Sequence, residues 1–474
     1  MKIDLPSVPK ERRGLRLLLN VHRDPLDFFS QLMHKEGAYA WLNLQGLPLL
    51  MLNDATGIEH VLKANAKNYR KGRFNKVLKP LLGNGIFLSE FETWRYQRKT
   101  SAPVFSNGNF EDMLQQMIAA TEAMFERWQP RIARGEPIDI TLEMMWFTLD
   151  VLLRALFHEA RDGVAGGVQQ ALGVLLKEAE GRIWSPFNLP QSFILSLPKY
   201  RRSMQFLQDI VHDLVEKRRN NQAYPKDLLS LLIESYKSPE EYLFLRDQVM
   251  SFLLAGHETT AHGLAWSFYN LGLHPVQKKT LIDEVDAVLG SNKPTLESVK
   301  NLNYTTQVFQ EVLRLYPPVW TMSRETLGED QIPLDNGEKI HLPKGTVIML
   351  CGYAVHRRET YWENPEAFDP ERFSADAVAA RPEFAWFPFG GGPRLCLGFR
   401  FASMESVIAL AMIMQRYHMA LVPGQKIEPQ PIITLRPSGP ILFKITERQQ
   451  IASGQTLAVK QLAEGKCPFA AAAA

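Results

Sequence analysis

Cysteine is scarce: the 474 residues hold only Cys351, Cys396 and Cys467. Three are too few for a disulfide framework, and an odd count leaves at least one thiol free. A reducing compartment suits such a chain. Long apolar runs are also lacking. A membrane span needs about 20 apolar residues, whereas Leu15 to Leu19 near the amino terminus is already broken by Arg16. Neither a secretory signal nor a transmembrane anchor is expected, and a cytoplasmic location is. No charge of one sign dominates. The 54 Lys and Arg against 51 Asp and Glu leave a net charge of +3. Without a dense basic block or a zinc-finger spacing, nothing points to nucleic acid. No flavin or nicotinamide segment and no cysteine cluster for iron and sulfur is visible. What remains is ordinary globular composition, 45% hydrophobic and 22% charged, in a chain long enough to enclose an internal cavity.

Apolar runs flanking Gln45-Gly46, between Ala38 and Asp54, predict a β-hairpin. From Phe110 to Arg219 apolar residues recur at helical spacing. The stretch from Glu178 to Met204, with Pro186, Pro190 and Pro198, predicts a loop within that region. Leu245 to Leu273 predicts one long helix, roughly 40 Å at about 1.5 Å per residue. His274-Pro275 stops it, and its polar residues, Arg246, Asp247, Gln248, His257 and Glu258, exclude a membrane span. A helix from about Tyr304 to Tyr316 ends at Pro317-Pro318. Short strand-like runs such as Thr346 to Leu350 follow, and a last helix runs from near Gly398 to Tyr417. There are no internal repeats. The fold class is mainly α with small β-sheets.

The most informative segment is Phe387 to Arg400, FPFGGGPRLCLGFR. The run Gly390-Gly391-Gly392-Pro393 predicts a tight irregular loop. The helix beginning just past Cys396 turns its free N–H groups and positive dipole end toward the sulfur. Such surroundings are expected to depress the thiol pKa and favour thiolate. Phe389, Gly392, Arg394, Cys396 and Gly398 fall in the pattern Phe-x-x-Gly-x-Arg-x-Cys-x-Gly. This resembles the haem-binding signature of the cytochrome P450 family. The resemblance runs from about Asp24 to Lys444. It implies haem b held by Cys396 as axial ligand, O2 as co-substrate, and a single domain over residues 1–450. The β-rich parts of that domain lie mainly at 38–70, 319–355 and 421–446, a long central helix lies over the haem, and a tail follows at 451–474.

Part-way along the predicted long helix the sequence reads AGHETT, Ala255 to Thr260. Glycine and two threonines inside a helix cost stability, and a threonine can compete for backbone carbonyls. The segment resembles the family's acid–alcohol motif. This implies that Glu258 and Thr259, supported by Thr260, deliver protons during oxygen activation. Glu311 and Arg314 share a helix face by spacing. With Arg372 in FDPERF, the resemblance makes them a buried network supporting the cysteine loop. It also makes Trp94, Arg98, Arg324 and Arg394 anchors for the haem carboxylates, since an arginine meets a carboxylate with two parallel hydrogen bonds. One departure stands out: Arg358 occupies a position where the family usually has Asp.

By analogy, the substrate pocket is lined by Ile86, Phe87, Phe252, Ala255, Val319, Trp320, Met322 and Ile433, with the loop from Ile183 to Phe193. This lining implies a lipophilic substrate. Tyr69, Lys71 and Arg73 are candidates to meet a carboxylate at the pocket mouth, so a fatty acid comes first, with a terpenoid or aromatic compound second. Electrons are expected from a separate reductant of ferredoxin or flavodoxin type. That reductant would be steered by a basic face of Arg95, Arg98, Lys99, Arg394 and Arg400. A monomer is expected. The alternatives are a haem-thiolate peroxygenase or isomerase on the same fold, and a haem sensor or carrier using Cys467-Pro468. Ala470 to Ala474 looks like a tag remnant.

Overall fold

A computed structural model describes residues 14–448, apart from 45–46, 160–164, 184–196, 221–224 and 226. The architecture is mainly α with several small sheets, as the resemblance implies. Its axis is one helix of 32 residues, Tyr242–Leu273, roughly 48 Å long at about 1.5 Å per residue. This central helix has no amphipathic stripe, because it is buried on nearly all sides. It packs against the helices Ile140–Phe157, Pro198–Arg219, Asn303–Leu315 and Phe399–Arg416. Gly256 leaves no room for a side chain at the crossing with Ile140–Phe157: a Cβ there would lie 2.5 Å from Leu152 Cδ1.

The hairpin of Tyr39–Leu44 with Leu47–Leu52 is present; its turn, 45–46, lies outside the described residues. Leu47–Leu52 pairs in parallel with Val347–Leu350. That strand pairs antiparallel with Met322–Thr326, which pairs in turn with Tyr69–Lys71. A second core cluster, with Phe29, Trp320 and Cys351, lies under the helices Gly14–Arg23 and Pro25–Glu36. The remaining sheets are two- and three-stranded, and include the hairpin Pro429–Pro431 with Leu435–Pro437. No helix among the described residues is long and apolar enough to cross a membrane.

Two boundaries differ from the sequence reading. Both ends of the loop expected over Glu178 to Met204 are helical, since one helix runs on to Ile183 and the next starts at Pro198. Proline at the first helical position costs nothing, because its missing N–H would be unpaired there anyway. Pro186, Pro190 and residues 184–193 of the predicted pocket loop lie outside the described residues, as do Cys467, Pro468 and Ala470 to Ala474. The last helix begins at Phe399, with Gly398 as its N-cap. Arg358 donates to the Asn53 carbonyl and, at 2.9 Å, to Tyr361 Oη, and it stands 3.7 Å from Asp54. The departure thus places a cation beside the neighbouring carboxylates Asp54 and Asp335.

His158 ties four helices together. It lies 3.2 Å from Asp112 and 3.2 Å from Asp227, the N-cap of Leu228–Ser235. Asp227 also receives Arg218 at 2.7 Å. The bond to Asp227 raises the His158 pKa, and the charges of Asp227 and Asp112 add to it against the opposing effect of burial. The latch is therefore complete below the ordinary imidazole value of 6.5 and is lost as pH rises through the higher folded value. Thermal unfolding should show a midpoint that declines above that pH in the wild type. The decline should be absent in His158→Gln.

Candidate active site

The cysteine loop is a run of tight turns. Gly390 N–H donates to the Phe387 carbonyl at 2.9 Å, Leu395 N–H to Gly392 at 3.0 Å, and Cys396 N–H to Phe389 at 2.9 Å. Gly390 and Gly392 have φ of +72° and +60°, a region open to glycine at little cost. At Gly392 a Cβ would also sit 1.9 Å from the Leu62 carbonyl oxygen, so the signature glycine lets the loop lie on a neighbouring backbone. The Cys396 side chain is exposed although protein surrounds it, which places it on an internal cleft. Its sulfur faces the Gly398 N–H and the charge of Arg98, whose guanidinium donates to the Leu395 carbonyl at 2.9 Å.

The expectation of a depressed thiol pKa is corrected. Burial pushes the Cys396 thiol up, and the Gly398 N–H and Arg98 offset this only in part. Desolvation of the anion outweighs one N–H and one cation, so a metal would have to displace the proton. Among the described residues no three metal-ligating side chains come together. Cys396 would hold an iron here, with a macrocycle rather than a cluster of side chains keeping it in place. Cys351 is no competitor: it is buried, and burial pushes its thiol up to about 12.

Around this cleft stand four cations. The Lys71 ammonium lies 4.5 Å over the Phe87 ring, and Arg394 and Arg98 lie 4.4 and 5.8 Å over Trp94. Strand pairing sets Lys71 directly opposite Arg324. Arg394 donates to the Ser89 carbonyl at 3.1 Å and to Glu90, whose other oxygen accepts the Lys71 backbone N–H at 2.7 Å. Burial, then the charge of Arg394, lowers Lys71 to about 7 and Arg324 to about 10. Lys71 was expected at the pocket mouth and instead joins this cluster. The other two members of that expected group are also committed. Tyr69 Oη donates to Asp330, and Arg73 to Glu325 at 3.2 Å. Like charges directly opposite on paired strands repel. Four cations, of which Lys71, Arg324 and Arg394 share the carboxylate Glu90, are the donor set that a cofactor with two carboxylates needs. Arg394 points inward, so the expected basic face is reduced to the outer residues Arg95, Lys99 and Arg400.

On the central helix Thr259 Oγ1 donates to the Ala255 carbonyl at 2.6 Å, and Thr260 Oγ1 to Gly256 at 3.3 Å. Ala255 is exposed within an otherwise buried stretch, so Ala255 and Thr259, one turn apart, form an accessible stripe. Phe105 bridges this helix to the cysteine helix, with its ring centroid 6.4 Å from Phe252 and 6.3 Å from Phe401. Glu258 is buried; its Oε1 accepts from Thr434 Oγ1 at 3.0 Å and lies 3.4 Å from His262 Nε2. Burial pushes its carboxyl up. The His262 bond and charge, then His257 and Thr434, more than offset this, and the net shift is downward.

The predicted pocket residues divide. Ile86, Phe87 and Ile433 are half-buried against the main core, where Phe252 also lies. Val319 is half-buried, and the Met322 methyl would lie 3.9 Å from a Cβ on Gly390. Trp320 is corrected to a core residue. Its ring lies 6.2 Å from Phe29, its indole donates to the Ile432 carbonyl at 3.0 Å, and it is 3% exposed. One wall is pinned to the central helix: Asn84 N–H donates to Asp247 at 2.7 Å and Ile86 N–H to Gln248 at 3.2 Å. Cβ atoms at Gly83 and Gly85 would lie 1.9 and 2.1 Å from Asp247 and Ser251.

Behind the loop, Arg314 and Glu311 form a two-bond ion pair at 2.6 and 2.7 Å, both fully buried. Arg314 also donates to the carbonyls of His356 (2.9 Å), Pro365 (2.6 Å) and Ala367 (3.0 Å). Arg372 lies 3.6 Å from Glu311. Sequence reasoning missed His356, whose Nε2 accepts the Phe387 N–H at 3.0 Å and so joins this network to the cysteine loop.

The sequence model described as Cytochrome P450 matches residues 6–445. Cyclooctatin synthase of Streptomyces melanosporofaciens is 31% identical over 430 residues, 88% of this chain and 90% of its own. Cyclooctat-9-en-7-ol 5-monooxygenase of the same organism is 33% identical over 76% of this chain and 78% of its own. Carotene epsilon-monooxygenase of Arabidopsis thaliana is 29% identical over 86% and 81%. Breaking the pair behind the loop tests its weight. Arg314→Met leaves Glu311 buried without its partner and should cost about 3–5 kcal/mol in urea unfolding. A loss below about 1 kcal/mol, typical of an exposed pair, would show that the pair supports little.

Proposed function

Given that the chain belongs to the cytochrome P450 family and is an oxidoreductase of the monooxygenase class, we propose that it inserts one oxygen atom from O2 into a neutral terpenoid. The observation that carries the substrate class is the commitment of the presumed carboxylate anchors. Tyr69 is bonded to Asp330, Arg73 to Glu325, and Lys71 is drawn into the cation cluster. A fatty acid would have to compete with Asp330 for Tyr69, with Glu325 for Arg73 and with the cofactor's carboxylates for Lys71. The relatives' names, which include carotene and cyclooctat-9-en-7-ol, also favour a neutral hydrocarbon skeleton. The first expectation, a fatty acid, thus moves to second place.

The roles follow from the chemistry of the site. Cys396 is the axial ligand, in a loop shaped by Phe389, Gly392 and Gly398. Trp94, Arg98, Arg324 and Arg394, with Lys71 added, hold the haem carboxylates. Bound there, the haem supplies oxygen activation, and its thiolate ligand donates electron density. Thr259 presents its hydroxyl on the accessible stripe. Glu258 exchanges protons, and Thr260 keeps the helix groove in shape. Ile86, Phe87, Phe252, Ala255 and Ile433 exclude water and orient an apolar skeleton. Arg95, Lys99 and Arg400 meet a separate acidic reductant of ferredoxin or flavodoxin type.

The reduced protein should show a strongly red-shifted Soret band with carbon monoxide, lost in Cys396→Ser. Retention of that band in the variant would refute the ligand assignment. Thr259→Ala should keep consuming electrons but release them as peroxide, with product formation down on the order of 100-fold. Cyclic terpenes should perturb the haem spectrum at lower concentration than fatty acids of similar size. Tighter fatty-acid binding that weakens in Arg73→Ala would overturn the substrate class.

A further inference from the structure

The carboxyl of Glu258 is held from two directions. On its own helix, His262 lies one turn on, within 3.4 Å of Oε1. From the hairpin Pro429–Pro431 with Leu435–Pro437, Thr434 donates to the same oxygen at 3.0 Å. All three side chains are buried. Oε2 has no partner, and neither has His262 Nδ1. A buried carboxylate that places both contacts on one oxygen leaves the other as the place where a proton is taken up or passed on.

Thr434 belongs to the turn between the strands Pro429–Pro431 and Leu435–Pro437, beside the pocket residue Ile433. That turn is braced from behind. Leu435 N–H donates to the Pro318 carbonyl at 2.9 Å, Ile432 N–H to Thr434 at 3.0 Å, and the Trp320 indole to Ile432 at 3.0 Å. The Thr434 hydroxyl reaches from the braced turn to the acid, so whatever presses on Ile433 bears on this hydrogen bond.

We propose that His262 and Thr434 are positioning residues for Glu258, and that Thr434 makes proton uptake by the acid depend on what fills the pocket. The proposal rests on the reading of Glu258 as the proton-exchanging acid. When an apolar molecule displaces the turn, the Thr434 O–H···Oε1 bond breaks. Glu258 loses a donor that favoured its ionised form and takes a proton at Oε2 from a solvent hydronium, whose broken O–H bond leaves neutral water. No other bond changes, and that proton is then available for oxygen chemistry. The groups facing this carboxyl are His262 and His257 on its own helix and the Thr434 hydroxyl from the hairpin. His257 is fully buried, and burial holds its imidazole neutral, lowered to about 4. The downward shift of Glu258 agrees with this arrangement.

Infrared difference spectra of the haem-loaded protein can follow the protonated-carboxyl stretch of Glu258, identified by its loss in Glu258→Gln, through a pH titration. His262→Ala should raise the protonation midpoint by about one pH unit or more, a tenfold change in proton affinity. His262→Gln should act likewise with less change of volume. Thr434→Val should raise it by a smaller amount, and Thr434→Ser should restore it. A neutral cyclic terpene should shift the wild-type midpoint upward but leave Thr434→Val unmoved. Unchanged midpoints in the His262 and Thr434 variants, or an equal terpene shift in Thr434→Val, would overturn the proposal. Failure of the underlying reading looks different: Glu258→Gln would then couple electrons to product normally, whatever the infrared midpoints did.

Discussion

The buried pair of Glu311 and Arg314 is the interaction on which the rest of the site depends. Two opposite charges taken out of water repay their desolvation only with good geometry and with their remaining hydrogen-bonding capacity used. Here Arg314 spends its remaining donors on three carbonyls of the segment 356–367, and Glu311 also accepts the Asp369 N–H at 2.9 Å. A coil with no regular structure is thereby fixed at several points. His356 carries that order onward, because its backbone carbonyl meets Arg314 while its ring accepts from Phe387 at the root of the cysteine loop. Burial and the neighbouring arginines keep this imidazole neutral, as a ring nitrogen that accepts a hydrogen bond must be.

Much of this was legible in the sequence where the signal is local. The long helix, the 303–315 helix and the cysteine loop each announce themselves within one continuous stretch of chain. What was not legible depends on contacts distant along the chain. Lys71 lies on a three-residue strand, and only pairing with a strand some 250 residues later sets it against Arg324. His356, His262 and Thr434 carry no motif, and their partners come from other elements or from one helical turn away. Trp320 read as pocket because apolar residues line pockets and cores alike, and only the helices Gly14–Arg23 and Pro25–Glu36 decide between them. The thiol pKa was misjudged for a related reason: helix dipole and arginine are visible in sequence, whereas desolvation is a property of the folded whole.

The cleft is electrostatically incomplete as a protein surface. Lys71, Arg324 and Arg394 share one nearby carboxylate, Glu90, Arg98 stands beside them without one, and burial depresses the pKa of each of the four. The fold holds this repulsion in place through its sheet and its loop anchors. An anionic cofactor entering here would relieve the repulsion and gain several charge-assisted hydrogen bonds at once. Folding stability and cofactor retention are thereby linked.

The glycines that pin the 83–86 segment to the central helix bear on how such a chain can diversify. With no room for a side chain at either glycine, and with backbone N–H groups tied to Asp247 and Gln248, that wall offers descendants few viable changes. Inherited variation in molecular preference is then channelled to side chains that project from fixed backbone, Ile86 and Phe87, and to the hairpin turn opposite. A lineage built on this scaffold would alter its chemistry by exchanging surfaces within a constant frame, and its record of divergence should be concentrated at those few positions.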